Sequence, residues 1–395
     1  RSHAAQGCHL MTHVGIDLGQ FVSDPYTSGI QRVLQYLACE WPSDEIPADF
    51  VIPDGRDFLL LSPSQAAGLF DVAFAATDGD DVRRVVQEMV ERLRRESPRV
   101  RPSELLSMYS SWLLPEVSYN SEVLSRLELF ASTMPCTMIG YDALPMTDPA
   151  NYRFIPGSAA QVSEYFRLLT GVDSVVCISD YSRSAILRRL RRHPSLTTIV
   201  AHPGGDHVPI AQDQQTTRSE SPVTFLRVGT MEARKQPVEL VRAFQKARAH
   251  GTEARLVFVG APSASDFAIN EAIDEAARGD DAIEWIHDAS DAEVARWQQD
   301  ADIFLSFGIE GYGIPVLESI RRGTPVLFGG IQPAGELMIG KGARRVEDTR
   351  PETITAMFDS FADRTESVRL RDELRPEEVP SWRDFTRTVA RAAVG

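Results

Sequence analysis

Apolar runs of strand length alternate with helical periodicities almost from one end of this chain to the other. Near-continuous apolar strands separated by amphipathic helices bury both faces of a parallel sheet, so the expected fold class is α/β. In the first half, strands are expected at His13–Leu18, Asp49–Ile52, Phe58–Leu61, Cys136–Ile139, Ser174–Ser179 and Thr197–Ala201. Behind the first of them Ile30, Val33, Leu34, Leu37, Ala38 and Trp41 mark one face of a helix at 3.6-residue spacing.

From Ile210 to Pro222 the sequence reads IAQDQQTTRSESP, which has no core-forming period and is expected to be a linker. The alternation then resumes. Strands are expected at Thr224–Val228, Arg255–Val259, Ile283–Ile286, Asp302–Phe307 and Pro325–Phe328. Helices are expected from Pro237 to His250, closed by Gly251, and from Pro315 to Arg322, ended by Gly323. Ser290 and Glu293 form a capping box for another. The last helix runs from Ser381 to Ala393. A length of 395 residues accommodates two domains. The expected division is 11–209, a linker at 210–222, a second domain at 223–380, and a terminal helix at 381–395. Two doubly wound sheets of this kind are expected to leave a cleft at the carboxyl ends of their strands, where open α/β sheets bind ligands.

Composition narrows the function. Hydrophobic content of 43% and charged content of 25% are ordinary globular values. A net charge of −15 argues against a general nucleic-acid binder. No stretch has the apolar length to cross a bilayer, and no secretory core is read near the start; Arg1–Leu10 is unpatterned, an expression remnant or a disordered leader. Cys8, Cys39, Cys136 and Cys177 lack metal-ligand spacing, and the last three fall in apolar runs where reduced thiols pack as small hydrophobes. A cytoplasmic protein is the simple reading. The 41 basic residues include only three lysines, Lys235, Lys246 and Lys341.

The run SFGIEGYGIPVLESIRRGTPVLF, Ser306 to Phe328, reads as strand, glycine-rich loop, short helix, strand. Gly311 and Gly313 allow the backbone to approach a ligand. Pro315 is suited to be the first helical residue, so that N–H groups of the helix start point into the loop and form a phosphate site. Glu310 and Glu318 frame it, eight positions apart. This segment resembles the E-x7-E signature of glycosyltransferase family 4, a retaining family of GT-B fold with two Rossmann-like domains. The resemblance implies that Glu310 reaches the donor sugar, Glu318 holds the ribose, and Gly311, Tyr312, Gly313, Ile314, Pro315, Val316 and Leu317 line the diphosphate and ribose.

VGTMEARKQ, Val228 to Gln236, resembles the family's loop for the leaving diphosphate. Arg234 and Lys235 are then the cations that stabilise charge growing on the phosphate oxygen, with Gly229 and Thr230 on the loop floor. One of the three lysines falls where a compact ammonium is expected.

In the first half, TSGIQR at Thr27–Arg32 resembles the family's glycine loop and makes Ser28 and Gly29 donor-side candidates. Tyr141-Asp142-Ala143-Leu144-Pro145 resembles the family's His-Asp-x-x-Pro element, with tyrosine in place of histidine, and makes Asp142 a candidate to orient hydroxyls. CISDYS at 177–182 and HPGGDH at 202–207 match the expected end of the first domain, and Ser381-Trp382 begins the helix that crosses back to it in the family.

Other signals are weaker. Asp78-Gly79-Asp80 spells a metal motif but precedes a helix, where Asp is a natural N-cap. The arginine-rich face of that helix, and RRLRRH at 188–193, could touch an anionic membrane, although such faces are more often solvated. His202, His207 and His287 lack a carboxylate or Cys partner in sequence and read as loop or core histidines.

The resemblance implies a metal-independent, retaining glycosyltransferase without cofactor. Its co-substrate is a nucleotide-diphosphate sugar, with GDP-mannose expected first and UDP-sugars next. Its acceptor is a saccharide or a lipid-linked one, and peripheral contact with the inner face of a membrane is an option. A GT-B nucleotide-sugar epimerase and a catalytically inactive GT-B sugar-binding subunit share the same apparatus and stay open as alternatives.

Overall fold

A computed structural model describes residues 13–76, 79–147, 158–189, 195–211, 221–264 and 266–395. Residues 1–10, Asp78, most of the linker and most of the 188–193 run lie outside the described residues. The chain divides into two compact units, one made of 1–142, 154–201 and 382–395, the other of 143–153 and 202–381.

Within the first unit the described strands are β1 (Val14–Asp17), β2 (Ala48–Asp54), β3 (Asp57–Leu61), β4 (Arg99–Val100), β5 (Ser111–Leu114), β6 (Cys136–Gly140), β7 (Ser174–Cys177) and β8 (Thr197–Val200). They form one sheet in the order β4-β3-β2-β1-β5-β6-β7-β8. From β2 to β8 the pairs are parallel, as expected, and β3 and β4 add an antiparallel edge to that sheet. The reason is local. Only Gly55 and Arg56 separate β2 from β3, too few residues for a crossover, and Gly55 takes φ 66° to close the hairpin.

The helix Gly29–Glu40 buries Val33, Leu34, Leu37 and Ala38, as its periodicity predicts. The helix Trp382–Val394 belongs to this unit and buries Trp382, Phe385 and Val389. Trp382 stacks on Tyr36 with ring centroids 4.6 Å apart, and Thr137 Oγ1 donates to Ala392 O at 3.2 Å. Cys136 and Cys177 are buried as expected, whereas Cys39 is exposed because it falls on the outer side of its helix.

Within the second unit the described strands are β9 (Val223–Val228), β10 (Ala254–Val259), β11 (Ile283–Ile286), β12 (Ile303–Ile309), β13 (Val326–Ile331) and β14 (Ala343–Arg345). Their order is β11-β10-β9-β12-β13-β14 and every pair is parallel. The order reverses between β9 and β12, so the carboxyl ends of these neighbours form the crevice where such a sheet takes a ligand. Phe225, Phe244, Phe307 and Phe358 fill the core beneath it. The Ser290–Glu293 capping box is formed.

Among the described residues, no helix is long and apolar enough to cross a membrane.

Candidate functional site

The second unit gathers its charges at the β9–β12 crevice. β9 ends at Val228, and Gly229 turns the backbone at φ 119°. The chain then forms a short 3-10 turn at Ala233–Lys235 and leaves it through Gln236, which holds φ 55°. A left-handed glutamine is locally strained, and it aims the turn so that Arg234 and Lys235 face the end of β12.

There Arg234 Nη1 lies 2.7 Å from Glu310 Oε2 and also donates to Ile309 O at 2.9 Å. Its Nη2 lies 2.6 Å from Glu232 Oε2. Lys235 Nζ stands 3.8 Å from Glu310 Oε1 and 3.9 Å from Glu232 Oε2. The side chains of Lys235 and Glu310 are 13% and 21% exposed, so the pair is sheltered yet open to a ligand. Burial alone would raise the Glu310 carboxyl, but Lys235, Arg234 and Arg227 outweigh it and hold it below its usual range. Burial lowers the Lys235 ammonium, with Glu310 opposing.

The glycine loop follows at once. Gly313, at φ 106°, is the N-cap of the helix Ile314–Arg321. Pro315 is its second residue, one later than expected, and the Val316 N–H returns to Gly313 O at 3.0 Å. At such a helix start backbone N–H groups outnumber their acceptors, which suits an anion. The side chains of Val316 and Leu317 are buried in the unit, so a ligand would meet their backbone only. Tyr312 is also buried: its hydroxyl donates to Pro203 O at 2.9 Å and its ring lies parallel to His202.

Glu318, one turn inside the helix, meets His207 Nε2 at 2.9 Å. His207 therefore has the carboxylate partner it lacked in sequence, because the 202–207 segment folds onto the glycine loop of this unit. Asp274 likewise stands 3.6 Å from His287. The structure brings Arg234, Lys235 and Glu310 together, with Gly229 and Thr230 between the end of β9 and their turn. Glu232 joins them without having been a candidate in the sequence, and His207, read there as a loop or core histidine, meets Glu318. Glu232 lay inside a segment already assigned, and His207 pairs across 111 residues.

In the first unit, Ser28 and Gly29 start the helix Gly29–Glu40 after β1, and Asp142 follows β6. Ser28 caps its helix by accepting from Ile30 N at 3.1 Å, and donates to Gln31 Oε1 at 2.6 Å. Gly29 opens that helix. Gln31 Nε2 donates to Glu116 Oε1 at 2.5 Å. Glu116 is buried, and its other oxygen meets no donor among the described residues. Burial chiefly, then Asp17 and Asp24, pushes its carboxyl up to about 8 against the opposing Gln31 bond. Tyr141 is buried with its hydroxyl on Pro115 O at 2.7 Å, a packing role, while Asp142 beside it is half-buried. Of the Asp78–Asp80 triplet, Gly79 and Asp80 open the helix Gly79–Glu96, and Asp80 is nearly fully exposed beside Arg83.

Residues 210–369 match the family model described as glycosyl transferases group 1. No curated protein matches the sequence. Several solved structures share the fold. Anabaena Alr3699/HepE in complex with UDP-glucose is 11% identical, with 96% of this chain and 95% of that chain covered and a TM-score of 0.59. An α,α-trehalose-phosphate synthase (UDP-forming) from Burkholderia xenovorans is 12% identical, covering 96% of this chain and 100% of its own at a TM-score of 0.56. The lipopolysaccharide outer core galactosyltransferase WaaB is 13% identical, covering 96% and 99% at a TM-score of 0.56. With a group 1 domain over the residues that carry the crevice, on two α/β units of GT-B type, this chain is a glycosyltransferase.

Proposed function

We propose that this glycosyltransferase moves a hexose from a nucleoside-diphosphate sugar to a saccharide or lipid-linked acceptor, with retention at the anomeric carbon and without a metal ion. The observation that carries this reading is the convergence of Arg234 and Lys235 on Glu310 beside the glycine-capped start of the helix Ile314–Arg321. Two cations and a helix N-terminus complement a diphosphate, and fixed positive charge of this kind does the work a divalent cation would otherwise do.

In this reading the bond between the anomeric carbon and the diphosphate oxygen breaks as the acceptor oxygen bonds to the same face of that carbon. The acceptor's hydroxyl proton passes to the departing phosphate oxygen. Arg234 and Lys235 stabilise the charge that grows there, which exists in full only once the bond has broken. Glu310 holds the sugar through its hydroxyls, and Glu318, fixed by His207, takes the ribose. Asp142, Ser28 and Gly29 remain the first-unit candidates for orienting hydroxyls. GDP-mannose is the first donor to test, on the strength of the TMEARK and SGIQR elements. UDP-glucose is the second, because HepE, similar in fold, was solved with it.

The test is a thermal-shift panel with UDP, GDP, ADP and dTDP, on the wild type and on an Arg234→Ala/Lys235→Ala double variant. A ligand at one hundred times its Kd stabilises by about 2.7 kcal/mol, enough to move a midpoint by several degrees. A shift with one nucleotide that the variant loses supports the donor site. No shift with any of the four refutes it.

A further inference from the structure

Arg234 and Lys235 each answer to two carboxylates, and the two acids are held differently. Arg234 Nη1 pairs with Glu310 Oε2 at 2.7 Å and also donates to Ile309 O at 2.9 Å. Its Nη2 pairs with Glu232 Oε2 at 2.6 Å. A change of partner at Nη2 therefore leaves the Nη1 bonds that seat the guanidinium intact. Lys235 Nζ stands 3.8 Å from Glu310 Oε1 and 3.9 Å from Glu232 Oε2, and neither distance is a hydrogen bond. Its N–H groups can thus turn to a new acceptor without breaking one.

Glu232 is the more open of the two acids, with a side chain 39% exposed against 21% for Glu310. It immediately precedes the 3-10 turn Ala233–Lys235, so its carboxylate meets cations two and three residues along the same turn. An ion pair as exposed as this contributes little to stability. Charge shows what else it does. Two cations and two carboxylates cancel, so a diphosphate arriving beside all four would meet as much repulsion as attraction. A positive surplus appears only when one acid withdraws. Glu310 is the more sheltered, is tied to Nη1, and in the proposed function holds the sugar. Glu232 is the acid that can rotate into water.

We propose that Glu232 is a resident anion for the donor cations. It occupies Arg234 Nη2 and shares Lys235 until the diphosphate takes its place, and it returns as the nucleoside-diphosphate product leaves. It is a positioning residue that acts through the two cations. It keeps them gathered at the end of β12, and by competing with the phosphates it limits how tightly the product is held. The inference rests on the donor site proposed above.

The experiment is titration calorimetry of UDP and GDP with the wild type, Glu232→Gln and Glu232→Asp, with the melting temperature of each protein measured alongside. Glutamine keeps the shape and removes the charge. Aspartate keeps the charge but is one methylene shorter, so it loses the contact with Nη2. For the nucleotide that the wild type binds, Glu232→Gln should bind about tenfold more tightly. Glu232→Asp should also bind more tightly, by a smaller factor, and the three melting temperatures should agree. Unchanged or weaker binding by Glu232→Gln would make Glu232 a support for Arg234 and overturn the proposal. So would a Glu232→Asp variant that binds as the wild type does while Glu232→Gln gains, because only the charge and not the contact would then matter. If neither the wild type nor Glu232→Gln binds either nucleotide, the donor site itself fails and takes this inference with it. If the wild type binds and both variants match it, only the role of Glu232 fails.

Discussion

Gly308 lies directly beneath the carbonyl of Arg234: a Cβ built on this glycine would stand 1.9 Å from that oxygen. The turn that carries both cations therefore rests on β12 only because residue 308 has no side chain, and its φ of 92° excludes other residues as well. Gly308→Ala is expected to cost about 2–4 kcal/mol and to displace Arg234 from Glu310. Urea unfolding measures the first effect. Nucleotide binding, corrected for the folded fraction, measures the second and should fall more than the stability loss explains.

Lys235 separates ground-state binding from catalysis. Charge on the phosphate oxygen grows as the donor bond breaks, so Lys235→Ala should lower kcat by about 10²–10³-fold and raise the donor KM by far less. Steady-state kinetics with the donor found by the nucleotide panel decide this. Unchanged turnover with a raised KM would assign Lys235 to binding alone.

His207 and Glu318 form a pair 2.9 Å apart, and the donor reading gives Glu318 the ribose hydroxyls. His207→Ala removes one partner of the carboxylate and should weaken nucleoside-diphosphate binding roughly tenfold, with little change in kcat. The loss should vanish when the nucleotide lacks its ribose 2′ and 3′ hydroxyls. An equal loss with both nucleotides would show that His207 merely supports the loop.

Glu116 makes stability depend on pH. Its carboxyl is raised by burial from 4.5 to about 8, so between these values the folded chain holds a proton that the unfolded chain has released. The stabilisation is fully present below 4.5 and is lost as pH rises through 8. The slope contributed by this one group reaches at most about 1.4 kcal/mol per pH unit. Glu116→Gln cannot ionise and should flatten that decline, leaving the variant at least as stable as the wild type at pH 8. Denaturant unfolding at pH 5, 6.5 and 8 tests it; parallel curves would remove Glu116 as the source.

The second unit is nearly legible from sequence because its strands are long, apolar and separated by marked helix starts. Ile283–Ile286 appears with the expected bounds, and β9, β10, β12 and β13 shift by three residues or fewer at either end. The first unit is less legible. β5 is a central strand, but it has four residues and opens with a serine, so its period is too short to register. The hairpin of β2 and β3 turns at Gly55-Arg56 after Asp54, a short-range signal that the spacing of the two apolar runs alone does not show. In the site, Glu310, Arg234 and Lys235 stand out because residue type and spacing coincide. Arg227 hides inside an apolar strand, where one charge looks like an interruption. Glu116 follows a strand that was not seen, and the His207–Glu318 contact depends on how a distant segment folds back.

The helix Trp382–Val394 completes a unit whose other residues all precede position 202. During synthesis the first unit must therefore wait, with the surface around Tyr36 and Thr137 uncovered, while the whole of the second unit is made. The second unit has all of its own residues by position 381 and has no such wait. A frameshift or premature stop near residue 380 would thus harm the earlier of the two units and spare the later one.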